Sequence, residues 1–151
     1  MRNLVFKSIP VSEIFCDPNF ALLAKDYGKQ AGRTGLEIRP NRESYLSLEN
    51  AGLLSAIGAY DVETLVGFAV VVFAPSLHHS GVIASVESLW LAEDFRQYTA
   101  GLKLLKEVEK LAVGRKAKGL EITCPTGSRQ EILFAHLFRR TNSVFFKNLE
   151  V

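Results

Sequence analysis

The residues best suited to chemistry stand close together. Glu87, in Ser85-Val86-Glu87-Ser88-Leu89, sets a carboxylate among small and apolar neighbours, and Leu89-Trp90-Leu91 leads straight into Ala92-Glu93-Asp94-Phe95-Arg96-Gln97-Tyr98-Thr99-Ala100-Gly101. A tight loop running from a buried strand into a helix start turns several unpaired NH groups toward one point, and the helix dipole adds partial positive charge there. A diphosphate suits that geometry. Arg96 would add a full charge, and Gly101 would let the backbone approach a ligand or let the helix pack tightly on a sheet. Strand alternation puts Glu87 on the side of Ser85 and Leu89, where a buried carboxylate is suited to accepting a proton.

Other reactive side chains have plainer readings. Cys124 is expected to be a small apolar wall residue rather than a nucleophile. His136 is expected to be a solvated helix residue, and His78-His79, in a turn without a third ligand, do not make a metal site. Trp90 alternates away from Leu89 and Leu91 and belongs to the core or under a ligand. The run Arg115-Lys116-Ala117-Lys118 reads as a solvated helix end that complements the dipole.

The elements that must position these residues follow from periodicity. The chain has 151 residues, 48% of them apolar, which fits a single domain over 1–151. A net charge of +2, from 18 basic and 16 acidic residues, excludes a strong electrostatic magnet for nucleic acid or anionic lipid. Cys16 and Cys124 lack metal-ligand spacing and are expected to be reduced thiols of a cytoplasmic protein. The longest apolar run, Leu65 to Pro75, is too short for a membrane span. Leu4 to Ile9 predicts an edge strand ended by Pro10. Asp17-Pro18 predicts a helix start, with Gly28 and Gly32 closing that helix, and Asn41 predicts the cap of a second helix ending near Gly52. Strands are predicted over Leu53–Tyr60, Leu65–Phe73 and Val82–Leu91, the middle one covered on both faces. A helix follows with Leu104, Leu105, Val108, Leu111 and Ala112 on one face, then a strand over Leu120–Cys124. Ser128-Arg129-Gln130-Glu131 has the form of a capping box for a last helix reaching about Arg140, and Ser143–Leu149 predicts a closing strand. The order is β, α, α, β, β, β, α, β, α, β.

Leu89-x-Leu91-x-x-x-x-Arg96-x-x-Thr99-x-Gly101 resembles the acetyl-coenzyme A motif of the GNAT acetyltransferases, R/Q-x-x-G-x-G/A after an L-x-V strand end. Gly67 in Leu65-Val66-Gly67-Phe68-Ala69 resembles that family's v-G-f-a strand, and the element order from Leu4 to Leu149 is similar to the family's. The resemblance implies an α/β (α+β) fold: a mixed, mainly antiparallel twisted sheet of six to seven strands with about four helices, splayed between its fourth and fifth strands. It implies an N-acetyltransferase using acetyl-coenzyme A (acetyl-CoA) as cosubstrate and a primary amine, small molecule or protein, as acceptor, with Glu87 assisting deprotonation. Backbone groups of Leu89, Trp90 and Leu91 would hold the pantetheine. Arg96, Gln97, Tyr98, Thr99, Ala100 and Gly101 would hold the pyrophosphate. The acceptor would sit among the Lys29–Pro40 loop, the second helix and the closing strands.

Two departures leave alternatives open. Thr99 stands where the family keeps a glycine, and either caps the helix or crowds the pyrophosphate. Phe134 stands where the family often has a tyrosine acid, so the thiolate leaves unaided, or His136 or Tyr98 serves. The alternative reading is a GNAT-like binding protein without turnover, acting on a protein or nucleic-acid partner. The ending also resembles bacteriophage-encoded GNAT-like proteins, and a short closing strand would leave sheet edges able to pair in a homodimer.

Overall fold

Val5–Ile9 (β1) stops at Pro10, which has no NH to extend a ladder and instead opens a short helix, Val11–Phe15 (α1), that the periodicity did not predict. The structure, a computed structural model, describes residues 3–31, 34–97 and 99–150. The chain divides into two compact units, one comprising the chain up to Phe20 with Asn41–Ile122, the other Ala21–Pro40 with Thr123 onward.

The first unit is built on a five-stranded sheet in the order β1-β2-β3-β4-β5. After α1, the helix Arg42–Asn50 (α3) starts at Asn41, whose Oδ1 accepts the Ser44 NH at 3.2 Å, as its residue type predicts. Leu54–Asp61 (β2), Thr64–Pro75 (β3) and Val82–Leu91 (β4) form the expected antiparallel meander, and β1 pairs antiparallel with β2. A one-turn 3₁₀ helix, Glu93–Phe95, leads to Ala100–Gly114 (α4), and Gly119–Ile122 (β5) returns parallel to β4.

The apolar face predicted for α4 is the one used. Leu104, Val108 and Ala112 pack with Ile57, Ala69, Val71, Phe73, Ala84 and Val86 of the sheet, and Leu111 packs against that cluster. Burying each of the Leu, Ile, Val and Phe side chains among them contributes about 1.5–3 kcal/mol. On β2, the Tyr60 hydroxyl donates to Glu13 Oε2 at 2.8 Å, and burial followed by that carboxylate pushes its pKa up to about 12, so it stays a donor.

In the second unit, Phe20–Ala31 (α2), which begins at the last residue of the first unit, continues through Gly28. A glycine costs a helix only about 1 kcal/mol, too little to stop it alone. Arg129–Leu137 (α5) starts at Ser128, whose Oγ accepts the Glu131 NH at 3.3 Å. The reciprocal half of the box is displaced by one residue, because Glu131 Oε2 accepts from the Gly127 NH at 2.6 Å. α5 ends at Leu137, short of the expected Arg140, whose guanidinium pairs with Glu131 Oε1 at 2.9 Å.

The sheet therefore has five strands, not six to seven, and the described residues hold five α-helices, not four. The predicted closing strand is the difference: Ser143 to Leu149 has no regular structure, with Val144 and Phe145 80% and 93% exposed. Strand propensity measures fit to a pleated, half-buried surface, and without a partner edge it has nothing to act on.

Candidate functional site

The feature that organises the site is a break in the β4 register. Val70 pairs with Ser88 and Val71 with Val86, so Glu87 is an extra residue, a β-bulge. Directly opposed residues share a face. Ala84, Val86 and Leu89 oppose Phe73, Val71 and Ala69 and face α4, whereas Ser85, Ser88 and Trp90 oppose Val72, Val70 and Phe68 and face away. This corrects the alternation drawn from sequence: Ser85 and Leu89 lie on opposite sides of the sheet, because the bulge inverts the parity between them. The parallel pairing of β4 with β5 stops in the same place, at Val86 opposite Ile122. From Glu87 to Leu91, β4 has β3 on one edge and no strand on the other among the described residues.

Glu87 is exposed. Its Oε1 accepts a 2.7 Å hydrogen bond from the Tyr45 hydroxyl on α3. The tyrosine lies 42 positions earlier, and no motif pointed to it.

Beyond Leu91 the loop is fastened to the strands. The Ala92 NH donates to the Val66 carbonyl at 2.8 Å, and Arg96 Nε donates to the Leu91 carbonyl at 2.6 Å. Part of the Arg96 guanidinium is thus used to hold the strand end against the loop. Gly67 permits this closeness: a Cβ there would lie 2.6 Å from Leu91 Cδ1 and 2.9 Å from the Trp90 carbonyl oxygen. Trp90 itself is buried, its ring 5.7 Å from Phe68, so its side chain serves the core. Gln97 is exposed, and Tyr98 lies outside the described residues.

Thr99 is the N-cap of α4, but its side chain makes no capping hydrogen bond. The Lys103 NH is bonded to the Thr99 carbonyl, and the amides of Ala100, Gly101 and Leu102 have no intrahelical acceptor. Gly101 sits among them. It does not adopt a positive φ, and a Cβ added to it would meet nothing within 4 Å among the described residues. Neither a left-handed backbone nor a close contact with the described residues requires glycine there.

The remaining candidates separate clearly. Cys124 is half-buried, and burial, then the Glu131 carboxylate, pushes its thiol pKa up, which disfavours the thiolate a nucleophile needs. Phe134 is buried, with its ring 5.9 Å from Phe138, and has no proton to give. His136, His78 and His79 are exposed, and the described residues hold no group of three or more metal ligands. Arg115 differs from a merely solvated helix end. It reaches back to Ser55 Oγ at 2.9 Å and to the Gly52 carbonyl, with its guanidinium 4.0 Å above the Phe73 ring.

Comparison with known proteins bears on the family and the fold. A family model described as Acetyltransferase (GNAT) family matches residues 18–136. No curated protein matches the chain. Among solved structures, the ribosomal-protein-alanine N-acetyltransferase of Brucella melitensis biovar Abortus 2308 is similar with a TM-score of 0.71 at 16% identity, over 96% of this chain and 97% of that one. An aminoglycoside acetyltransferase from an uncultured soil metagenomic sample gives 0.74 at 16% identity, over 99% of each chain. A predicted acetyltransferase from Clostridium acetobutylicum, solved with acetyl-CoA, gives 0.67 at 15% identity over 97% of each. At such identities the likeness is one of fold. No helix among the described residues is long and apolar enough to cross a membrane.

Proposed function

This chain belongs to the GNAT acetyltransferase family, and from that premise we propose that it is an N-acetyltransferase that uses acetyl-CoA to acetylate a primary amine. One observation carries the reading: among the described residues, the edge of β4 that opens at Glu87 leads into a helix start whose N-cap side chain makes no capping bond and whose Gly101 has open space where a Cβ would lie. A diphosphate suits this helix start, since the Ala100, Gly101 and Leu102 amides and the α4 dipole favour an anion and a Cβ built on Gly101 would meet nothing within 4 Å among the described residues. Beyond the end of the β4–β5 pairing, backbone groups of β4 about Leu89 would bond the amide groups of a pantetheine arm, in the manner of an added strand, while the Leu91 carbonyl already accepts from Arg96.

Bound acetyl-CoA supplies an acetyl thioester, an electrophile whose sulfur leaves as a thiolate. The protein's part is to position and to move a proton. Glu87 attracts the acceptor as an ammonium and takes one proton from it; the nitrogen lone pair then forms the C–N bond as the C–S bond breaks. The second N–H proton, released as the amide forms, passes through water to the departing thiolate, so the thiol leaves neutral and no hydroxide remains. Such a base contributes about 10²–10⁴-fold to the rate. The acceptor remains a matter for assay: sisomicin and a peptide with an N-terminal alanine are suitable probes, being related to the acceptors named for structural neighbours.

The test is calorimetric titration with coenzyme A, followed by thiol release from acetyl-CoA with each probe amine. Binding and amine-dependent thiol release are expected, and Glu87→Gln should bind coenzyme A like wild type while turning over at least about a hundredfold more slowly. Absence of coenzyme A binding overturns the proposal in favour of a GNAT-like binding protein.

A further inference from the structure

We propose that Tyr45 is a positioning residue of this site: its hydroxyl fixes the rotamer of the Glu87 carboxylate at the point where β4 leaves β5. The inference rests on the reading of Glu87 as the proton acceptor. Glu87 projects from a bulge and is exposed, where a glutamate has several rotamers that aim the carboxylate differently, and the Tyr45 hydroxyl bonds one of its oxygens in one of them. A proton acceptor works only within hydrogen-bond reach of the group it deprotonates, and a displacement of about 1 Å is enough to cost about a hundredfold in rate. The 2.7 Å bond from Tyr45 to Glu87 Oε1 is short and charge-assisted, the kind that holds a geometry.

The tyrosine is itself held from several directions. Its ring packs edge-on against Phe15 at 5.2 Å and 70°, and Phe15 in turn lies 5.1 Å from Phe20. Its backbone NH donates to the carbonyl of the capping residue Asn41 at 3.2 Å. One turn further along α3, Glu49 Oε2 accepts the Val11 NH at 2.7 Å and ties the helix to α1. The phenol is thus a fixed post on a helix docked to α1, standing over a carboxylate on a different element. A purely structural aromatic in this cluster would need the ring but not the hydroxyl; the hydroxyl is what reaches Glu87.

The test compares wild type, Tyr45→Phe, Glu87→Gln and the double variant, with acetyl-CoA and the faster of the two probe amines, sisomicin or the alanine peptide. Phenylalanine keeps the ring contact with Phe15, and melting curves check that the fold is retained. Tyr45→Phe should lower kcat about ten- to a hundredfold with the KM for acetyl-CoA unchanged. In the Glu87→Gln background the same change should cost nothing more, since the group it positions is gone. Wild-type kcat in Tyr45→Phe, or a full further loss in the double variant, overturns the positioning role while leaving Glu87 in place. Wild-type turnover by Glu87→Gln, or no turnover of either probe by wild type, overturns the underlying reading and this role with it.

Discussion

Replacing Gly101 by alanine separates what the protein needs from what its ligand needs. In the folded chain a Cβ at this position meets nothing within 4 Å among the described residues, and the backbone is not in the left-handed region that favours glycine. Alanine therefore enters α4 without strain and removes the entropic cost of glycine in a helix, a gain of about 0.5–1 kcal/mol. For a chain of this size that raises Tm by about 1–4 °C. The same methyl group projects into the space where a diphosphate would approach the amides of Ala100 to Leu102. Losing one hydrogen bond to a charged group costs about 1.5–3 kcal/mol, so the Kd for coenzyme A should rise at least about tenfold. Differential scanning calorimetry reads the first effect and isothermal titration the second. Opposite signs are the signature: a more stable protein that binds coenzyme A less well. Coenzyme A affinity equal to wild type would remove the diphosphate from this helix start, and a lowered Tm would show that the chain itself uses the space.

At Gly67 the outcome should differ in kind. There an added Cβ meets the Trp90 carbonyl oxygen as well as Leu91 Cδ1, so β4 must move; Gly67→Ala should destabilise by about 1–3 kcal/mol, lowering Tm, and unchanged melting would contradict the close strand approach. In a Cys16→Ser variant, Cys124 should be alkylated by iodoacetamide at pH 8 more slowly in the folded protein than in the urea-unfolded chain, because burial raises its thiol pKa and less thiolate is present; faster labelling of the folded protein would restore it as a reactive group.

Much of this protein was legible in its sequence because the signals are local. Asn41 and Ser128 each satisfy an NH three residues away, the α4 face from Leu104 to Ala112 repeats every 3.6 residues, and the unbroken apolar run of β3 demands cover on both faces. The loop from Leu91 to Gly101 was legible for the same reason, since helix-start chemistry lies within a few consecutive residues. Some local signals were misleading. Of Gly28 and Gly32, expected to close α2, Gly28 lies inside the helix, one glycine being too weak a breaker, and Gly32 lies outside the described residues; Ser143–Leu149 looked like a strand, although a strand requires a partner that propensity does not supply.

Tertiary structure alone decided how Glu87 and its neighbours are placed. The bulge at Glu87 is a property of the β3–β4 register, set by packing along both strands, and it inverted the facing inferred from simple alternation. The hydrogen bond from Tyr45 to Glu87 and the return of Arg115 to Ser55 join residues 42 and 60 positions apart. Side-chain periodicity and caps act over one or two turns, so sequence carries them directly. Contacts between distant segments exist only once the sheet has chosen its register, and that choice minimises the energy of the whole core rather than of any one stretch.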